Sequence, residues 1–191
     1  MIAVATVPAE LAGYLDELVR RLAAVADLDA VYVFGSAAQS EYEHGRSDVD
    51  VIAVTARPST QAEKEALAAA AESLPCPARK LELVVYPRGA ERHELNVNTG
   101  ELVHFDPDDD PAFWFVLDRS IAEQHSIALL GPPWNEVFDP VPPETVSRAL
   151  DEASAFAAWD DPRGAEIAAA RARIWRETGD WVSKAEARRR A

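Results

Sequence analysis

The chain has 191 residues, 48% of them hydrophobic, which is enough for a substantial core in one domain or two small ones. Acidic residues number 33 against 19 Lys and Arg, so the net charge is −14. This charge argues against a broad surface that grips nucleic-acid phosphates. It suits a cationic ligand, or it serves only to keep the protein in solution.

A single cysteine, Cys76, excludes an internal disulfide framework and a multi-cysteine zinc site. The N-terminus has no basic region followed by an apolar run, and no apolar stretch approaches the ~20 residues that span a bilayer. We therefore expect a cytoplasmic protein without a membrane or nucleic-acid partner.

Hydrophobic periodicity predicts an α/β pattern over the first half of the chain. Apolar residues spaced three and four apart predict helices, and short β-branched and aromatic runs predict strands. Ser59 or Thr60 is expected to cap the second helix. The order helix, strand, strand, helix, strand is typical of α/β domains. The predicted helices cover 9–26 and 60–74, and the predicted strands cover 30–34, 49–54 and 80–86.

The pattern is weaker after Tyr86. A short strand is expected over 94–97, and Asp110 with Pro111 is expected to begin a long helix that ends at Leu130. The Pro-rich segment 138–143 is the best candidate for a linker. The chain after it is predicted to be helical, with helices over 144–159 and 165–177 and a short one from Lys184.

Two carboxylates lie together at the start of the second strand. Alternate residues of a strand share a face, so Asp48 and Asp50 project to the same side. Like charges at this distance repel each other unless a cation neutralises them, and Mg²⁺ is the natural partner of oxygen ligands. The alternative is a solvated strand end with two surface acids.

Glu82 is a lone acid in an otherwise apolar strand. Burial of such a group costs free energy unless it faces a cation, a hydrogen-bond donor or a polar cleft. The alternative interpretation is that Glu82 lies on an edge strand and is exposed to water. If its strand lies beside that of Asp48 and Asp50, three carboxylates converge. Two could hold Mg²⁺ on a triphosphate while the third takes a proton from a hydroxyl.

Gly35-Ser36, at a strand end, offers donors to phosphate oxygens.

Gly35-Ser36 followed by Ser47-Asp48-Val49-Asp50 resembles the signature of the polymerase-β-type nucleotidyltransferase superfamily. Within it the chain is similar to the aminoglycoside 3″/9 nucleotidyltransferases, antibiotic-resistance enzymes that adenylate streptomycin and spectinomycin. The similar segments include 81–85, 125–132, 138–142, 174–175 and 179–184.

This resemblance implies an α/β (α+β) nucleotidyltransferase domain with a mixed sheet over 1–138, followed by a small all-α helical domain over 139–191. The helical domain is expected to be truncated relative to the family, by several helices. We favour a monomer.

The resemblance also implies ATP as co-substrate, Mg²⁺ as cofactor and a cationic, aminoglycoside-like acceptor. Asp48 and Asp50 would bind the metal, and Glu82 would be the general base. The resemblance assigns nucleotide binding to Gly35, Ser36, Ser47, Arg171 and Lys184, and acceptor binding to Asp161 and Trp175.

Several of these residues have alternative interpretations. Arg173 rivals Arg171, Lys184 could be a plain solvated lysine, Asp161 could cap a helix, and Trp175 could belong to the core.

The chain departs from the family near Gly100, where a streptomycin-stacking tryptophan is expected and Asn96-Val97-Asn98-Thr99-Gly100 stands instead. This argues against streptomycin itself as the acceptor. Two other functions stay open: an antitoxin-type nucleotidyltransferase that adenylates a protein partner, and a truncated relative that binds nucleotide without turnover.

Overall fold

The computed structural model describes residues 6–156 and 162–190, without the side chains of residues 162 and 163. Six strands form one mixed sheet in the order β5-β4-β3-β2-β1-β6. β2 and β3 run parallel, and the other neighbouring strands run antiparallel. The strands are β1 (Leu28–Phe34), β2 (Val49–Thr55), β3 (Leu81–Pro87), β4 (Leu95–Asn98), β5 (Leu102–His104) and β6 (Ile127–Leu130).

Seven α-helices lie in the described part of the chain, with a short 3₁₀ helix at Trp134–Glu136. The predicted capping residue of α3 is Thr60, whose hydroxyl accepts a hydrogen bond from the Glu63 amide while the Glu63 side chain bonds back to Thr60. The helices are α1 (Ala9–Ala23), α2 (Gly35–Ala38), α3 (Gln61–Glu72), α4 (Ala112–His125), α5 (Pro143–Ala155), α6 (Pro162–Thr178) and α7 (Lys184–Arg190).

The two faces of the sheet have different cover. The odd-numbered residues of β2 and β3, such as Val51 and Leu83, pack under α1 and α3. The even-numbered residues, such as Ile52 and Val84, form a second core with α4 and with buried side chains of α5 and α6. Asp50 and Glu82 are even-numbered, so they point to the face that the later helices cover.

One predicted element is wrong. The long helix expected over 112–130 ends at His125, and Ile127–Leu130 is strand β6, which pairs antiparallel with β1. Ser126 is extended between them. An apolar run of four residues has no periodicity that separates strand from helix, and the free edge of β1 decides the outcome through hydrogen bonding.

The start of α4 also differs from the expectation. Pro111 is the N-cap residue, and no side chain caps it. Instead, Asp110 Oδ1 lies 3.0 Å from His104 Nδ1, and Asp110 Oδ2 accepts a hydrogen bond of 3.1 Å from the side-chain amide of Asn96.

The other predicted helices and strands are confirmed to within a few residues, except that the end of the helix predicted over 144–159 lies outside the described residues. Helix α2 and strand β5 were not predicted. The division at residues 138/139 stays a prediction. In the described residues, no helix is long and apolar enough to cross a membrane.

Candidate active site

The register of the sheet brings the predicted acids together. Asp50 of β2 lies directly opposite Glu82 of β3 in the parallel pair. Phe34 is the partner of Asp50 on the other side, and Asn98 is the partner of Glu82. Because paired residues share a face, one row across the sheet contains Phe34, Asp50, Glu82 and Asn98. The sequence-based condition that the strand of Glu82 adjoin that of Asp48 and Asp50 is confirmed.

Gly35 lies against the Asp50 carboxylate. It follows β1 with φ +64°, in the left-handed region, and a Cβ atom there would stand 2.1 Å from Asp50 Oδ2. A side chain at this position would therefore displace Asp50. The close approach leaves Gly35 and Ser36, which begin α2, beside the carboxylate.

Asp48 is engaged by a guanidinium that the sequence did not single out. Arg79 donates two hydrogen bonds to its carboxylate, of 2.8 Å and 2.5 Å. The adjacent Ser47 accepts a hydrogen bond of 3.0 Å from the Glu43 amide through its hydroxyl. Ser47 and Asp48 are thus fixed at the entrance to β2 by the preceding loop and by the residue two positions before β3.

Asp118 is a further carboxylate of the site, contributed by α4. Burial and then the nearby Glu82 raise the pKa of Asp118 to about 7, with Arg171 opposing. Burial, Glu82 and Asp118 likewise raise the pKa of Asp50 well above its usual range, against Lys184. The signal for Asp118 was available in the sequence, because it ends the apolar run Phe113–Leu117 as Glu82 interrupts its strand.

Of the two candidate arginines of α6, Arg171 faces this site. Burial lowers the pKa of its guanidinium, while Asp118, Asp50 and Glu41 act to raise it. Its Nε donates to the Val182 carbonyl at 2.8 Å, and the guanidinium lies 5.3 Å from the ring centroid of Trp181. Arg173 is exposed and donates instead to the carbonyl of Arg190.

Lys184 is exposed at the start of α7, within electrostatic range of Asp50. The loop after α2 contacts the start of α7 through Glu41. The Glu41 carboxylate accepts hydrogen bonds from the Ser183 hydroxyl and, at 3.1 Å, from the Ala185 amide. The Gly35-Ser36 region and Lys184 are thereby connected.

Glu82 is held by Lys80. Lys80 Nζ lies 2.8 Å from Glu82 Oε1 and 2.6 Å from Glu101 Oε2. Neither Lys80 nor Glu101 was predicted to belong to the site, since both look like ordinary surface charges beside a turn.

Of the two residues assigned to acceptor binding, Trp175 lies in the described part of the chain. Trp175 is 8% exposed, and its ring is tilted against that of Trp181 at a centroid distance of 5.9 Å. This placement agrees with the alternative interpretation, in which Trp175 belongs to the core. Asp161 lies outside the described residues.

Within the described ranges, no three acidic, His or Cys side chains converge closely enough to hold a metal ion. Asp48 turns toward Arg79 and Glu82 toward Lys80. The donor set itself fits Mg²⁺, which prefers one or two carboxylates and phosphate oxygens. Burial and then repulsion by Glu82 raise the pKa of Asp50, and a cation bound there would offset both effects.

Comparison with known proteins agrees with this geometry. Residues 14–108 match the family model described as nucleotidyltransferase domain. The structure is similar to that of the spectinomycin adenyltransferase AAD(9) from Enterococcus faecialis, determined with ATP and spectinomycin. The TM-score is 0.70 at 16% identity, over 90% of this chain and 79% of that one. At this identity the similarity concerns the fold. No curated protein sequence matches the chain.

Proposed function

Because this chain contains a polymerase-β-type nucleotidyltransferase domain over residues 14–108, we propose that it transfers AMP from ATP to a hydroxyl of a small cationic acceptor. The acceptor class is that of the aminoglycosides and aminocyclitols, and the reaction depends on Mg²⁺. The observation that carries the proposal is the pairing of Asp50 with Glu82 across β2 and β3, with Arg171 and Lys184 within electrostatic range of Asp50.

The nucleotide would be bound from both sides of the site. Gly35, Ser36 and Ser47 supply amide and hydroxyl donors at the ends of β1 and β2. Lys184 and Arg171 supply positive charge for the triphosphate from α7 and α6. Glu41 supports this arrangement, since its hydrogen bonds connect the loop after α2 to the residues on either side of Lys184.

Glu82 would act as the general base. It takes the proton of the acceptor hydroxyl, the hydroxyl oxygen bonds to the α-phosphorus, and the bond from that phosphorus to the bridging oxygen breaks. Pyrophosphate leaves with the bonding electrons. A divalent cation on Asp48 and Asp50 would supply charge neutralisation for the triphosphate. Asp48 must then exchange part of its contact with Arg79 for the cation.

An acidic surrounding favours a cationic acceptor. Beside burial, the nearby Glu82 carboxylate acts to raise the pKa of both Asp50 and Asp118, and the chain has a net charge of −14. Asn98, the partner of Glu82 in the sheet, adds a polar group beside the base.

The proposal is tested by incubating the purified protein with Mg²⁺ and α-labelled ATP and a panel of aminoglycosides and aminocyclitols. We expect pyrophosphate release and a labelled acceptor, with spectinomycin favoured over streptomycin. Glu82→Gln should abolish turnover while nucleotide affinity is retained. Lack of turnover over the whole panel would overturn the acceptor class, and label on a protein band would indicate a protein acceptor instead.

A further inference from the structure

Lys80 contacts the reacting carboxylate directly. It precedes β3 by one residue and projects to the same side as Glu82, two positions later. Its side chain is only 11% exposed, and its ammonium group lies 2.8 Å from Glu82 Oε1 and 2.6 Å from Glu101 Oε2. One largely enclosed ammonium group therefore bridges two partly exposed carboxylates.

In an exposed surface ion pair water competes for both charges, whereas here the ammonium group is mostly withdrawn from water. Burial alone would lower the pKa of Lys80, but the hydrogen bonds to Glu101 and Glu82 outweigh it, and the pKa is raised. Lys80 is therefore charged at neutral pH, and its hydrogen bonds are of the strong charge-assisted kind.

The partner Glu101 is fixed as well. Its amide donates to the Asn98 carbonyl at 2.9 Å, which closes the turn between β4 and β5. The Thr99 hydroxyl of the same turn accepts a hydrogen bond of 2.9 Å from the Leu81 amide. Because the turn is attached to β3, Glu101 holds the ammonium of Lys80 at a defined place beside Glu82.

We propose that Lys80 is a positioning residue for the reaction: it holds Oε1 of Glu82 and leaves Oε2 to take the proton of the acceptor hydroxyl. The inference rests on the proposed role of Glu82 as base. Without Lys80 the Glu82 carboxylate would lose the contact that fixes Oε1, and its side chain would be free to adopt other rotamers. A general base works only within hydrogen-bonding reach of its proton.

Kinetics of Lys80→Met test this role. We expect kcat to fall by about 10- to 100-fold, the range expected for a misplaced reacting group, with the KM for ATP unchanged within about twofold. Lys80→Arg should recover part of kcat, and Glu101→Gln, at a more exposed position, should lower it several-fold. Lys64→Met is the matched control, since Lys64 donates to the Phe105 carbonyl, away from Glu82, and it should leave kcat unchanged. Full kcat in Lys80→Met, or in Glu101→Gln if Lys80→Met does not fold, would overturn the proposal.

A second measurement is independent of turnover. A lysine ammonium held by two carboxylates exchanges its protons slowly, so the ¹⁵N-labelled protein should give a protected ammonium signal that Lys80→Met removes. The signal should broaden or disappear in Glu82→Gln, and its persistence unchanged would contradict the contact. If the wild-type protein adenylates no acceptor, the proposed function fails and the positioning role with it, whereas the signal still decides whether Lys80 fixes Glu82.

Discussion

Asp118 is a residue whose ionisation opposes folding. Burial and Glu82 raise its pKa from the usual 3.8 to about 7. The folded protein therefore keeps a proton that the unfolded chain releases between about pH 4 and pH 7. The protonated carboxyl of Asp118 contributes fully to the free energy of unfolding below pH 4, and this contribution is lost as the pH rises to 7.

Asp118→Asn should consequently stabilise the protein at high pH. The gain in the free energy of unfolding should be near zero at pH 4 and increase to at most about 4 kcal/mol at pH 8. This gain is reduced because the substitution removes a carboxylate that neighbours the buried guanidinium of Arg171. Urea unfolding at both pH values measures the difference, with the exposed Asp109→Asn as control. An equal effect of Asp118→Asn at pH 4 and pH 8 would contradict the assignment.

At the scale of elements, the contact between the loop after α2 and the start of α7 relates the phosphate-binding region to Lys184. Two hydrogen bonds to the Glu41 carboxylate form it, from Ser183 and Ala185. These residues are more than 140 positions apart along the chain, so the contact exists only in the folded protein.

Glu41→Ala should weaken nucleotide binding without preventing folding. Loss of the two hydrogen bonds frees α7, and we expect the KM for ATP to rise by about tenfold, equivalent to about 1.4 kcal/mol. Steady-state kinetics with varied ATP measure the change. Glu43→Ala is the control, because Glu43 lies in the same loop and its side chain forms an exposed pair with Arg46. A KM for ATP equal to that of the wild type would show that the contact of Glu41 with α7 has no role in nucleotide binding.

Elements with strong local patterns could be predicted from the sequence. β2 and β3 are continuous apolar runs apart from their acids, and the amphipathic spacing of α1 is unambiguous. β6 and β5 could not be predicted, since both are short and their strand conformation depends on pairing with neighbouring strands.

The same distinction holds for the candidate site. Asp48, Asp50 and Glu82 were identifiable because charged residues at strand starts and in apolar runs are costly without a function. Arg79, Lys80 and Glu101 were not, because their significance lies in distances across the sheet.

For the whole molecule, one hydrophobic cluster joins the sheet to the helices that follow it. It includes Tyr32 of β1, Ile121 of α4, Leu150 of α5 and Trp175 of α6. A core shared in this way favours a single cooperative unfolding transition. The sequence predicted helices after an α/β region, but it could not predict that they complete the core on the site's face of the sheet.

Trp175→Ala should therefore destabilise the entire chain. Truncation of a buried tryptophan costs about 3–5 kcal/mol, and the sheet should unfold together with the helices. Chemical denaturation followed by far-UV circular dichroism and by fluorescence of the remaining tryptophans should give coincident curves at a lower midpoint. Arg173→Ala, exposed on the same helix, should have a small effect. An unchanged midpoint for Trp175→Ala would remove it from the core.

The unequal cover of the two sheet faces has a practical consequence. α1 and α3 lie on the face opposite Asp50 and Glu82, and α3 exposes Gln61, Glu65 and Glu72. Cys76 packs at the margin of that same side. In a Cys76→Ser background, a cysteine introduced at Glu72 would give a single point for immobilisation on a sensor chip or for a fluorescent dye. The protein tethered there would present its substrate side to solution, so nucleotide and acceptor binding could be measured on the surface.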